Sequence, residues 1–183
     1  NKKTEVAQYE QRWNSEPVEL ADIDAAGVAA LAKNSSARVR MINVWATWCA
    51  PCVAEFPELV AISRRMDMRD NFEFVSITMD DPKMKPQAKA FLERQHAAPL
   101  PRLKKALAAE KRTAVNFIYT EASTDAMVKA LDPEWPGPLP HTLLVAPGGK
   151  VLYRHNGPID PVELRAKVIE ALGGAYYAPP AAK

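Results

Sequence analysis

The stretch NVWATWCAPCVAEFPEL, residues 43–59, starts as strand sequence and ends as helix sequence, and its Cys49 and Cys52 are the only cysteines in the chain. Upstream, RVRMINVWA (38–46) crowds β-branched and aromatic residues into its second half, the composition of a strand buried on both faces. Downstream, Val53, Phe56, Leu59, Val60 and Ile62 recur at helical spacing, predicting a helix from Pro51 to about Met68 with a bend near its start at Pro57. Cys49 therefore falls at the mouth of a helix and Cys52 one turn inside it. Residues three apart on a helix share a face, so the sulfurs can meet without backbone movement. The free N–H groups and positive dipole end of the helix favour a thiolate at Cys49, leaving Cys52 as the resolving thiol. That is the arrangement for thiol–disulfide exchange. Taken alone, the spacing also fits half of a zinc site or two buried structural thiols. A tetrahedral zinc site needs two further ligands, and a proline between cysteines at a strand-to-helix junction favours redox chemistry.

Working outward, EPVELADIDAAGVAALAKNSS (16–36) reads as a short extended piece and then a helix capped by Asp24, with Val28 and Leu31 apolar. NFEFVSITMD (71–80) is a strand, and KPQAKAFLERQHA (85–97) a helix opened by Pro86. PLPRLKKALAAEKRT (99–113) adds a short helix between prolines. AVNFIYT (114–120) is a strand, and STDAMVKALD (123–132) a helix capped by Ser123. After the proline-dense DPEWPGPLP (132–140), HTLLVA and KVLYRHNG form an antiparallel hairpin around Pro147, Gly148 and Gly149. The last helix opens with Asp160 as cap, Pro161 at its first position and Glu163 in capping-box position. Strands alternating with helices, closed by a hairpin, predict an α/β fold: a central mixed sheet with helices on both faces. The expected organisation is a mobile or weakly helical lead-in over 1–16, one domain over 17–174 with an inserted helix at about 98–113, and an irregular tail over 175–183.

With 183 residues, 48% apolar and 25% charged, the chain suits one soluble globular domain. A net charge of +2 does not point to nucleic acid. No apolar run reaches membrane-spanning length, and the polar start NKKTEVAQYEQRW shows no secretory signal, which leaves room for a leader or anchor removed upstream.

NVWATWCAPCVAEFPEL resembles the active-site segment of the thioredoxin superfamily, and is most similar to the TlpA/ResA-like branch of extracytoplasmic thiol–disulfide oxidoreductases. The resemblance runs from about Val18 to Gly173, strongest over 41–60 and 138–157. It implies a thioredoxin-like fold, with Cys49 as nucleophile, Cys52 as resolving cysteine and Pro57 as the proline that kinks the active-site helix. It also implies that Pro140 is a cis-proline whose preceding residue, Leu139, pairs through its backbone with a bound peptide, and that Trp48 and Pro51 belong to the substrate-facing rim. Trp45 and Trp48 fit the family's WAxWC pattern, one packing beneath the site and one at its rim. Two departures from thioredoxin itself stand out. Asn43 occupies the place of a buried aspartate, and an amide cannot accept the proton of the resolving cysteine. Glu55, one turn beyond Cys52, stands where the TlpA/ResA-like branch carries a glutamate that serves the cysteines' protons; partly buried, it should titrate high and act as general base for Cys52.

The expectation is a thiol–disulfide oxidoreductase, acting as a reductase rather than an oxidant, without a bound organic cofactor or metal. Its partners would be protein disulfides, such as those of an apocytochrome in cytochrome c maturation or of a copper-site protein, and a thiol electron donor. A monomer in a bacterial periplasm or other extracytoplasmic space, with a possible removed anchor, is expected. Two alternatives stay open: a copper or other metal chaperone using Cys49, Cys52 and His141, and a non-catalytic thioredoxin-like interaction module. Arg102, Lys104, Lys105, Lys111 and Arg112 form a basic cluster that would either steer an acidic partner or face solvent, and Trp135 would either anchor a partner or cover the core. A peroxidase is disfavoured, since Thr47 stands only two residues before Cys49.

Overall fold

The computed structural model describes residues 1–66, 69, 71–99 and 101–173; the expected tail over 175–183 and the predicted helix end at Met68 lie outside the described residues. Helix α1 (Lys2–Asn14) precedes strand β1 (Leu20–Ile23), α2 (Ala25–Lys33) and β2 (Val39–Trp45). Then come α3 (Ala50–Arg65), β3 (Phe72–Thr78), α4 (Lys85–Arg94), α5 (Lys104–Ala109) and β4 (Asn116–Tyr119). The chain continues with α6 (Thr124–Leu131), β5 (His141–Val145), β6 (Val151–Asn156) and α7 (Pro161–Leu172), and single 3-10 turns over Pro82–Met84 and Pro101–Leu103 lead into α4 and α5.

The six strands form one sheet in the order β1-β4-β3-β2-β5-β6. The first four in that order run parallel to one another, whereas β5 is antiparallel to β2 and β6 to β5. This is the mixed sheet the sequence predicts, with the short extended piece at 20–23 recruited as its edge. Each parallel crossover carries a helix, as parallel pairing demands. Gly148 and Gly149, both at positive φ, turn β5 into β6, and at Gly149 a side chain would meet the Lys33 carbonyl.

Side chains alternate along β2 and separate two cores. Val39, Met41 and Trp45 join Cys49, Cys52, Phe56, Phe74, Phe91 and Val168 on the face covered by α3, α4 and α7. Ile42 and Val44 join Val28, Val75, Phe117, Met127 and Trp135 on the face covered by α2 and α6. Large side chains as fully buried as Phe56 and Trp45 contribute about 1.5–3 kcal/mol each.

The helix caps follow the sequence. Asp24 accepts from the Gly27 N–H, Ser123 from Ala126, and Asp160 from both Val162 and Glu163. Helix α3 continues past Pro57 to Arg65, although Pro57 withdraws one N–H from its ladder.

Two expectations are corrected, and one open alternative is decided. The lead-in is a full helix docked on the core: Trp13 is 1% exposed, donates its Nε1–H to the His96 carbonyl (2.9 Å) and lies under the Arg64 guanidinium, while Arg64 pairs with Glu10 (2.6 Å). A single buried tryptophan and an ion pair dock it where sequence polarity argues against a helix. The basic cluster is not one surface. Arg112 joins Arg38 and Arg40 around the fully buried Glu73 carboxylate, and Lys104 pairs with Glu16. Leu103 and Leu107 bury the inserted helix in the core. Of the two roles left open for Trp135, the structure gives it the core-covering one.

Candidate active site

Strand β2 delivers residues 46–48 to the mouth of α3, and a buried carboxylate fixes that turn. Asp80, just beyond β3, accepts hydrogen bonds from the Thr47 N–H (3.0 Å), the Thr47 hydroxyl (2.6 Å) and the Thr78 hydroxyl (2.5 Å). The Met79 N–H adds a bond to the Trp45 carbonyl (2.8 Å). Sequence reasoning missed Asp80; the signal available was an aspartate two residues after a threonine at a strand end, where the threonine hydroxyl accepts the Asp80 N–H (3.1 Å).

Cys49 is the N-cap residue of α3 in extended conformation, with no side-chain cap of its own, and Pro51 stands in the first turn. Cys49 and Cys52 are joined in a disulfide with Cα atoms 5.3 Å apart. Cys49 keeps a 6% exposed edge while Cys52 is fully buried, the asymmetry expected of an attacking and a resolving sulfur. Trp45 packs beneath, tilted against Phe56 and Phe91 at centroid distances of 5.2 and 5.0 Å. Trp48 is 69% exposed, and Pro51 is exposed beside it. The Leu139–Pro140 peptide is cis, and the Pro140 carbonyl accepts the Gly157 N–H (2.9 Å).

Glu55 lies one turn beyond Cys52 on the same side of α3 and is buried. Its Oε2 accepts the Ile159 N–H (2.8 Å) and its Oε1 the Asn43 amide (3.3 Å), while that amide also reaches the Thr142 hydroxyl (3.2 Å). Burial pushes the Glu55 carboxyl above its ordinary range, against the opposing pull of the Ile159 and Asn43 hydrogen bonds and the nearby His155. A carboxyl raised in this way takes up a proton more readily than a solvated one.

The structure does not bring His141 to the cysteines. Its strand position pairs with Val44, so its ring belongs to the opposite face of the sheet, whereas Thr142 pairs with Asn43 on the Glu55 face. There the His141 Nε2 meets Asp132 (2.9 Å), and the ring stacks on Trp135 at 5.0 Å. Period-two alternation defeats the ligand set Cys49, Cys52 and His141. Among the described residues, no group of three or more His, Cys, Asp or Glu side chains is placed to hold a metal ion. Among the same residues no helix is long and apolar enough to cross a membrane.

Comparison with known proteins agrees with this geometry. A match to the family described as Redoxin covers residues 19–171. A thiol:disulfide interchange protein described as a DsbE homolog, from Paracoccus denitrificans, is 31% identical over 121 residues, which cover 66% of this chain and 52% of that protein. The thiol:disulfide interchange protein HelX of Rhodobacter capsulatus is 26% identical over 138 residues, 75% of this chain and 62% of that one. The chain thus spans between half and two thirds of the length of these relatives. Among solved structures, a thioredoxin-family thiol:disulfide interchange protein from Chlorobium tepidum superposes with a TM-score of 0.50 at 20% identity, covering 87% of this chain and 99% of that one. That likeness speaks for the fold.

Proposed function

The chain belongs to the redoxin family, and from that premise we propose that it is a thiol–disulfide oxidoreductase working through Cys49 and Cys52. The observation that carries the proposal is the Cys49–Cys52 disulfide at the mouth of α3, with Cys49 6% exposed and Cys52 fully buried one turn from Glu55. In the reducing direction, the Cys49 thiolate attacks one sulfur of a partner disulfide, forming a mixed disulfide and releasing the partner's other sulfur as thiolate. The Cys52 thiol gives its proton to Glu55, and the resulting thiolate attacks the Cys49 sulfur. The partner leaves with two electrons gained, its two thiolates taking one proton back from Glu55 and one from solvent, and the Cys49–Cys52 disulfide is restored. A thiol donor then returns two electrons to the pair.

Trp48, Pro51, Leu139 and the cis Pro140 form the substrate-facing rim in this reading, with the Leu139 backbone offered to an extended polypeptide. We assign the protein the reducing direction on the Ala-Pro pair between the cysteines. The branch resemblance supports an extracytoplasmic setting and a protein substrate such as an apocytochrome. The names of the matched relatives, thiol:disulfide interchange proteins, support the reaction class. The competing reading as a metal chaperone loses its third ligand to the far face of the sheet.

The test is trapping. Incubated with a protein disulfide, the Cys52→Ser variant should accumulate a mixed disulfide through Cys49, and Cys49→Ser should accumulate none. Equal trapping by both would overturn the assignment of roles, and trapping by neither would overturn the function.

A further inference from the structure

The segment from Asp132 to Pro140 carries Leu139 and Pro140 but belongs to no helix or strand. Such segments are ordinarily the most mobile parts of a fold. Here one end is tied by a charged cluster that the exchange chemistry does not use. Asp132 ends α6 and is almost wholly buried. Arg154 of β6 grips it bidentately, Nε to Oδ2 at 2.6 Å and Nη2 to Oδ1 at 2.8 Å, and also reaches Glu134 at 3.0 Å. His141, immediately after the cis bond, meets the same carboxylate at 2.9 Å. Trp135 stacks flat on the His141 ring and donates its Nε1–H to the Pro138 carbonyl (2.9 Å). Leu139 packs against both cores.

We propose that Asp132, Trp135, His141 and Arg154 are positioning residues that hold residues 136–140 in the shape that receives a polypeptide substrate. The charged bonds tie one end of this segment to the other or to β6 behind it, and the Trp135–Pro138 bond fixes its interior. Asp132 anchors the start, His141 the end, and the Trp135 indole the middle. A brace serving stability alone would be served as well by apolar side chains, because burying an ion pair costs desolvation that its attraction barely repays. What a bidentate fork and a stacked ring add is fixed geometry. A pre-shaped rim binds an extended chain without first losing its own conformational entropy. The inference rests on the reading of Leu139 and Pro140 as substrate-facing. Cys49, Cys52 and Glu55 lie on the other face of the sheet and are not touched by the cluster, so a small disulfide should not sense it.

The test compares insulin, as a polypeptide disulfide, with hydroxyethyl disulfide, both turned over with dithiothreitol as donor. Arg154→Gln removes the fork at a partly exposed position, and Trp135→Phe keeps a stacked ring but removes the bond to Pro138. Both should raise the KM for insulin about fivefold or more with kcat within about twofold, the signature of lost binding rather than lost chemistry. Hydroxyethyl disulfide turnover and the pH profile of Cys49 alkylation should stay unchanged, and Arg154→Lys should recover part of the insulin KM. An insulin KM that does not move in the folded variant, or a loss of the same size on both substrates, would overturn the clamp. Should Arg154→Gln fail to fold, Trp135→Phe decides alone. No turnover of either disulfide by the wild-type protein would instead sink the exchange reading itself.

Discussion

Asp80→Ala probes how the turn before Cys49 is held. The Asp80 carboxylate is buried and takes three hydrogen bonds, two from Thr47 and one from Thr78. Alanine strands two donors: the Thr47 N–H and the hydroxyl of the fully buried Thr78. The half-buried Thr47 hydroxyl can turn to water. A buried donor left without a partner costs about 1–3 kcal/mol, so two give about 2–6 kcal/mol. Relief from burying a carboxylate offsets part of this, which places the expected loss at about 2–4 kcal/mol. Asp80→Asn keeps one acceptor oxygen for the Thr47 N–H and can donate back to the Thr47 hydroxyl, so about 1 kcal/mol is expected. Urea unfolding of the oxidised proteins reads both values. With a slope of about 2 kcal/mol per molar, the alanine variant should lose about 1–2 M in midpoint. A midpoint within about 0.2 M of wild type would refute the reasoning. So would an asparagine variant as damaged as the alanine one, since the charge rather than the hydrogen bonds would then be responsible.

Glu55→Gln removes a carboxyl that burial pushes upward. A raised folded pKa means that the group's stabilisation is complete below its unfolded value and is lost as pH rises through the folded one. The variant should therefore gain stability relative to wild type with rising pH in that window, and Cys52 alkylation in the reduced protein should lose a titration step; parallel stability–pH curves would contradict both. Asp132 responds in the opposite sense: burial pushes its carboxyl up, but the hydrogen bonds from Arg154 and His141 outweigh this and hold it below the ordinary range. Its contribution should be lost as pH falls through the folded pKa, so Asp132→Asn should flatten the acid limb of a thermal-midpoint profile. Trp13→Ala should cost about 3–5 kcal/mol in urea unfolding, as for other large aromatics removed from a core, whereas a lead-in loosely attached to the domain would lose almost nothing.

What the sequence makes legible is local. Asp24, Ser123 and Asp160 announce helix starts because a cap bonds to N–H groups two or three residues away. The buried runs of β2 and β3 announce central strands, and the cysteine spacing places both sulfurs on one helix face. The place of Glu55 on that face is legible for the same reason, since Glu55 lies three residues past Cys52. What stays hidden depends on partners far apart in the chain. Asp80 acts through Thr47, 33 residues earlier, and Glu73 gathers Arg38 and Arg40 from the start of β2 and Arg112 from the loop after α5. Helix α1 lacks an apolar stripe; its docking rests on Trp13 and on Arg64, a residue 54 positions from its ion-pair partner Glu10. His141 misleads because closeness in sequence to Pro140 says nothing about which face of β5 its ring takes; only the register against β2 decides that.

The most direct test of thiol–disulfide exchange by Cys49 and Cys52 is the equilibrium reduction potential of the pair, measured in thiol buffers by tryptophan fluorescence, with Trp45 and Trp48 beside the disulfide as reporters. A reductase predicts a single two-electron transition toward the thioredoxin end of the scale, near about −270 mV. A transition near about −120 mV would reverse the direction of electron flow. The absence of any transition would contradict the account.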